Sequence, residues 1–576
     1  MIETGANKAQ LRRGIGKLSL IPLGIGGSIA GAIIYGAQKA VATAGPAGLL
    51  AYAIAPFLYM TIALTYIDIA MDFPEAGGPS RFAIYSHGQA TNLINSMSDL
   101  IWYLFIPPLE VYVFIGLVVH YFMPSVLTAS GNLSLLGGVM AVAVILLFVP
   151  INYFGIRAFT GIGDAVGWLK VALYVLMAVF FIWVGLSKNP DSVKNFSSYG
   201  GFMPYGVAGL FGAMPIVMFS FGGARWVADF AEELKEKRYI LYGILITVIG
   251  EAVIYLTFTL AFILNVNWSA LGIAAGDWTG LLSLLQLPYY AMASSYHVPL
   301  MAYLILIYLT LAPIMVGFVY MGGGARVMLS MGRSGYLNKE VKDIHPKYGV
   351  PYWSIILFGL IGAVVSFLFA PVPGLYALIN DTVSAGFIGF LANPVAMMVL
   401  RKQGMSKYQV PGGWFVSLVA FGISSLIVFW SGWPAVPYSV LLIAVASAIF
   451  GIMYRIREGW REGLWYVGLI AFLTFMTYVG SDGALRVIPY MWATAITAAV
   501  SVAVFYPLGL VSGLKERSYK AHLGESGAPS TFGEGRKAAP RDAQARAPGE
   551  RGQGIGRKCA SWCDFFVKSA FLSVGH

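Results

Sequence analysis

Apolar runs of about twenty residues, the length that crosses a hydrocarbon core, recur from near the start of this 576-residue chain to about residue 510. Only 11% of the residues are charged, where a soluble chain carries roughly a quarter. The chain is therefore expected to be an all-α polytopic membrane protein. Fourteen spans are expected, at 18–38, 47–69, 93–121, 135–154, 165–186, 205–230, 239–264, 299–329, 351–370, 375–400, 414–430, 438–454, 464–479 and 487–510. The last two are the weakest, and a twelve-span count merges or demotes them. Residues 1–17 are polar and basic, and the apolar run after them has no small-residue cleavage site, so no cleavable signal peptide is expected.

Charge placement tests that count, because short cytoplasmic loops collect Lys and Arg. With the N-terminus inside, 31 of the 37 Lys and Arg fall in inside segments. Four fall outside (Lys39, Lys188, Lys194 and Arg486), and Lys170 and Arg225 lie within spans, with Arg326 counted as inside because it stands at the inner end of its span. The asymmetry predicts an even number of spans with both termini cytoplasmic. The net charge of +11 then reports membrane orientation, and no nucleic-acid partner is needed to explain it.

Two spans are interrupted by glycine, which is unfavourable inside a helix. The first reads Gly24-Ile25-Gly26-Gly27-Ser28-Ile29-Ala30-Gly31-Ala32 and the sixth Phe219-Ser220-Phe221-Gly222-Gly223-Ala224. A matched pair of broken spans points to a transporter binding site between two inverted five-helix repeats. The predicted organisation is a cytoplasmic segment 1–17, a 5+5 transport core 18–400, additional helices 401–512 and a disordered basic cytoplasmic tail 513–576. An unwound segment within a membrane frees backbone groups. Freed N–H groups attract a carboxylate, and free carbonyls attract an ammonium. The competing explanation for the first cluster is close helix packing through small residues.

The segments around these breaks resemble the amino acid–polyamine–organocation superfamily, and within it the prokaryotic amino acid permeases. Residues 27–35 are similar to its first-span motif, Phe73-Pro74-Glu75-Ala76-Gly77-Gly78-Pro79 to its loop after the second span, and 219–225 with 229–233 to its sixth span and the acidic segment that follows. Ala325-Arg326-Val327-Met328, 333–337 and 345–351 are similar to the loop after its eighth span. The resemblance covers residues 18 to about 400.

The resemblance implies a secondary active transporter that imports amino acids across the cytoplasmic membrane by alternating access, without a cofactor or metal. The substrate carboxylate would meet the backbone at Gly31, Ala32 and Ile33, and the amine would meet carbonyls around Ile29, Phe219 and Ser220. Gly27, Ser28, Gly222, Gly223 and Ala224 complete the expected site. Phe221 is read as a gate or as a packing aromatic. Ile33 and Ala224 depart from the family pattern, which leaves the substrate side chain open. Lys170, a few residues into the fifth expected span, stands where sodium-coupled relatives of the fold bind the ion, which implies a proton as coupling ion. By position alone it is equally a lysine snorkelling to the cytoplasmic edge.

Arg225 and Asp229, four apart, are expected to pair as an inner gate or structural pair. Glu110 is a candidate pocket acid, Asp68 is expected to be structural, and Glu251 is a further ionisable residue within a span. The histidines are expected at span edges or in loops, without a metal site. The tail holds the only cysteines, Cys559 and Cys563, and its basic and apolar stretches suit a solvated tail or contact with membrane lipid. Alternatives are a same-fold transporter of a polyamine, nucleobase or metal cation, or a non-transporting amino acid sensor. No Walker A pattern or clustered catalytic groups are found, so an enzyme is not expected.

Overall fold

A computed structural model describes residues 9–514 except 31, 285–288, 290–291, 293–295 and 371–374. All but the first two residues of the predicted tail, Cys559 and Cys563 included, lie outside the described residues. Each expected apolar run is helical, and the helices are numbered here in chain order. They are α1 (20–44, in two halves), α2 (Ala47–Ala70), α3 (Phe82–Phe122), α4 (Leu135–Tyr153), α5 (Ile156–Lys188), α6 (Gly206–Asp229) and α7 (Tyr239–Asn265). There follow α8 (Pro299–Arg333), α9 (Tyr352–Phe369), α10 (375–402), α11 (Gly413–Trp430), α12 (Ala435–Met453), α13 (Trp460–Val479) and α14 (490–512). Twelve helices among the described residues are long and apolar enough to cross a membrane. The expected weak pair, α13 and α14, is among them. The broken α1 and the short α9, apolar over Tyr352–Leu368, are not.

Helices five places apart pack on one another: α2 along α7, α3 along α8, and α4 along α9. Such pairing is what two inverted repeats produce for helices that lie near their pseudo-twofold axis; α5 and α10 do not pair in this way. The α10 window is 94% buried and the α12 window 22%, so α10 lies at the centre with α3 and α8, while α12 lines the rim.

Two boundaries differ from expectation. Helix α3 starts at Phe82, not near residue 93. The turns before Leu93 hold Ser86, His87, Gln89, Thr91 and Asn92, a polar run that reads as loop, and Asn95 and Ser96 follow. Protein groups satisfy several of them instead of water: Asn95 donates to Pro79 O at 3.0 Å, Ser96 donates to Ser80 O at 2.6 Å, and Ile84 N–H donates to Asn92 Oδ1 at 3.1 Å. His87 is buried in these turns beside Ser86 and Gly509 O, so the expectation that histidines sit at edges or in loops does not hold for it. Gly88 bends the helix there with φ +83°, a region closed to most side chains. Helix α5 starts at Ile156, not near 165, and its Asp164 accepts from Ser19 at 2.7 Å.

Three loop segments meet on one face. Arg81 pairs with Glu75 at 2.8 Å, Arg326 with Glu233 through two bonds of 2.7 and 2.9 Å, and Arg333 with Glu232 through two of 2.6 and 3.1 Å. The N-terminal segment adds backbone bonds from Gly14 and Ile15 to Glu233 O. Asp68 pairs with Arg401 and accepts from Val410 N–H at 2.8 Å, a structural role tying α2 to the end of α10.

Candidate functional site

Helix α1 is interrupted at Ile29–Ala30, between wide π-type turns at Pro22–Gly26 and Ala32–Gly36. Helix α6 is interrupted at Ser220–Phe221, after which a tight turn at Gly222–Arg225 resumes the helix. The two interruptions touch: a side chain on Gly223 would collide with Ser28. Ser28 is thus brought beside Gly223, and Gly36 beside Ser220, so the segments holding Gly27, Ile29 and Ile33 and those holding Phe219, Phe221, Gly222 and Ala224 pack together. Gly31 lies outside the described residues, as does the Ala32 side chain.

The glycines before the first break also pack closely, so the small-residue explanation holds for them too. A Cβ on Gly26 would lie 2.9 Å from Gly167 Cα, and one on Gly167 would lie 2.6 Å from Pro22 O. The half-helix lies this near α5 because both surfaces lack side chains. One turn beyond Gly167, Lys170 reaches the break.

Lys170 is fully buried, fifteen residues into α5. It does not snorkel to an edge, because α5 starts earlier than the apolar run suggests. Its ammonium donates to Gly26 O, to Ile29 O at 3.0 Å and to Ala312 O of α8 at 3.3 Å. Tyr174, one turn on, donates to Ile29 O at 2.7 Å, and Tyr308 of α8 donates to Ala30 O at 3.1 Å. A carbonyl oxygen has two lone pairs, so Ile29 O is fully engaged. The expected amine contact at Ile29 is occupied by the protein's own donors.

The second break is different. No side-chain donor among the described residues is bonded to Phe219 O or Ser220 O, in contrast to the carbonyls of the first break. Phe221 is buried between Tyr59 (ring centroids 6.3 Å apart) and Tyr255 (5.8 Å), and Tyr52 stacks on Tyr255 at 5.5 Å. Tyr52 also meets Ser220 Oγ at 3.3 Å. A Cβ on Gly222 would lie 2.6 Å from the Trp102 ring, so this glycine admits α3 against the break.

The family profile described as amino acid permease matches residues 15–453, a span that holds both breaks and Lys170. The chain belongs to the amino acid permease family. This permease is 26% identical to the glutamate/serine transporter AimA of Bacillus subtilis, over 89% of this chain and 96% of that protein. It is 22% identical to the aspartate-proton symporter of the same organism, over 87% and 97%. It is 25% identical to the aromatic amino acid transport protein AroP of Escherichia coli K12, over 80% and 98%.

On the arginine-rich side of the breaks, the permease buries Arg225 completely. Its guanidinium contacts Asp99 of α3 and, at 3.5 Å, Asp229, which also accepts from Tyr103. The expected i,i+4 pair is present, but Asp99 makes the closer contact. Asp99 was missed although it lies within the expected third span, where an acid in an apolar segment was its signal. Glu110 is buried within electrostatic reach of Lys170. Glu251, mid-way along α7, is fully buried with Oε1 beside Gly223 and Ser28. It was visible as an acid in an apolar run. Tyr174 and Tyr308 gave no signal, since their role arises from α5 and α8 closing on α1.

Proposed function

We propose that this multi-pass membrane protein is a secondary active transporter that imports amino acids across the cell membrane by alternating access, with a proton as the coupling ion and both termini cytoplasmic. The observation that carries the reading is Lys170. Its ammonium occupies a cage of carbonyls from the half-helix before the first break, from the break itself and from α8, the chemistry of a bound monovalent cation. A cation built into the chain removes the need for a dissolved one, and a lysine can release and regain its proton. The three relatives are named for acidic, hydroxylated and aromatic amino acids, which share only the amino acid backbone. Two facing breaks hold that backbone, with the carboxylate toward Gly31, Ala32 and Ile33.

Arg225, Asp99 and Asp229 form a charged plug beyond the breaks, and we assign it as the inner gate. Phe221, enclosed by Tyr59 and Tyr255, closes over the second break. The test is uptake of radiolabelled serine, glutamate and phenylalanine into proteoliposomes with and without an imposed pH gradient. Uptake driven by an inward proton gradient, with the outside acidic, is expected, and Lys170→Ala should abolish the response to the gradient. Uptake driven by sodium and indifferent to pH would overturn the coupling role.

A further inference from the structure

The amine end of the site is not satisfied by backbone alone. At the first break, Gly26, Ile29 and Ala30 carbonyls already accept from Lys170, Tyr174 and Tyr308. What is left is concentrated at the second break: the carbonyls of Phe219 and Ser220, and the carboxylate of Glu251.

Glu251 is fully buried, and among the described residues only the Ser28 hydroxyl comes within reach of its carboxylate, whose oxygens hold no placed hydrogen bond. No Lys, Arg or His among them forms an ion pair with it. Ser28 lies alongside, but its hydroxyl proton goes to Gly24 O at 2.6 Å. The Gly223 backbone of the second break abuts Glu251, since a Cβ there would lie 2.8 Å from Oε1. The hydroxyls of Tyr59 and Tyr255 are also buried without partners, and both lie within electrostatic reach of Glu251. A carboxylate buried without donor or counter-charge is strongly unfavourable. Such a group inside a membrane marks a functional pathway. A carboxylate beside aromatic faces suits an alkylammonium ion.

We propose that Glu251 is a substrate ligand whose carboxylate receives the α-ammonium of the transported amino acid, together with the carbonyls of Phe219 and Ser220. The assignment rests on the reading of the two breaks as an amino acid site. It adds that the amine is anchored by a charged side chain and is therefore obligatory. A 2-hydroxy acid with the same side chain leaves Glu251 unpaired and is rejected.

The test uses the full-length protein in proteoliposomes. Uptake of labelled serine, glutamate and phenylalanine is competed with the unlabelled amino acid and with glycerate, 2-hydroxyglutarate and phenyllactate respectively. The wild type should discriminate against the hydroxy acid by about tenfold or more, the scale of a lost buried charge pair. Glu251→Gln should raise KM by a similar factor and largely abolish that discrimination, while Glu251→Asp keeps the charge and the preference.

Equal competition by the hydroxy acid in the wild type overturns the proposal without needing a variant that folds. A Glu251→Gln protein that keeps the wild-type preference also overturns it. So does one that loses only its response to pH, which would make Glu251 a proton site. If the reconstituted wild type takes up no amino acid, the transport reading itself falls, and the ligand role falls with it.

Discussion

Gly167 shows how one missing side chain sets the chemistry of the site. It lets α5 approach the first half of α1 at backbone distance, and that approach delivers Lys170 to the carbonyls of the break. Gly167→Ala should destabilise the protein by about 1–3 kcal/mol, the range for overpacking a close contact, seen as a lower melting temperature in detergent. Its uptake should fall as Lys170 is pushed off its partners. Gly161 lies on the same helix, but a Cβ there meets nothing within 4 Å. Gly161→Ala should therefore leave uptake unchanged and hold or slightly raise the melting temperature, which separates packing from helix propensity.

At the scale of elements, the inner gate joins α3 to α6. Arg225 is enclosed by the rings of Tyr66, Tyr103 and Phe390, with its carbon centre 6.0, 5.8 and 5.1 Å from their centroids. Removing one partner of a buried ion pair leaves an uncompensated charge, at roughly 3–5 kcal/mol. Asp99→Asn is expected to lower the melting temperature more than Lys237→Ala, whose pair with Asp72 is wider (3.7 Å) and partly exposed. If the cluster is the inner gate, Asp99→Asn should also raise the rate of uncoupled leak of preloaded substrate from proteoliposomes. Unchanged leak with lowered stability would leave the cluster a structural tie.

Across the whole molecule, the arginine-rich face gathers segments from the N-terminus, the α2–α3 loop, the end of α6 and the end of α8. Glu232 belongs to this belt. Burial pushes its carboxyl up, but the Arg333 guanidinium more than offsets this and holds it below the ordinary carboxylate value. A carboxyl depressed in the fold stabilises the fold above its unfolded pKa and loses that contribution as pH falls through the folded one. Melting temperature should therefore drop as pH falls below about 4.3, with a smaller drop in Glu232→Gln. Comparing the two isolates Glu232 from Glu233, whose carboxyl burial holds above its ordinary value despite Arg326. Orientation has its own check, because Cys559 and Cys563 are the only cysteines. With the tail inside, a membrane-impermeant maleimide should label inside-out vesicles and spare intact right-side-out ones.

By itself the sequence determined the helical membrane architecture, the spans, and the positions of both breaks. Apolar length and glycine interruption are local properties, and a lipid environment admits few structures that satisfy them. The charge tally gave the orientation argument for the same reason, since each loop is counted independently. Tertiary structure alone decided which polar groups meet. Helix α3 reaches back to Phe82 because its buried asparagines find backbone partners that no local pattern displays. Lys170 is an interior cation because α5 begins at Ile156 and Gly167 admits it to α1. Tyr174 and Tyr308 occupy the first break's carbonyls, which leaves the second break and Glu251 open. Hydrogen-bond saturation is a property of several helices at once, and only their packing reveals which groups remain for a ligand.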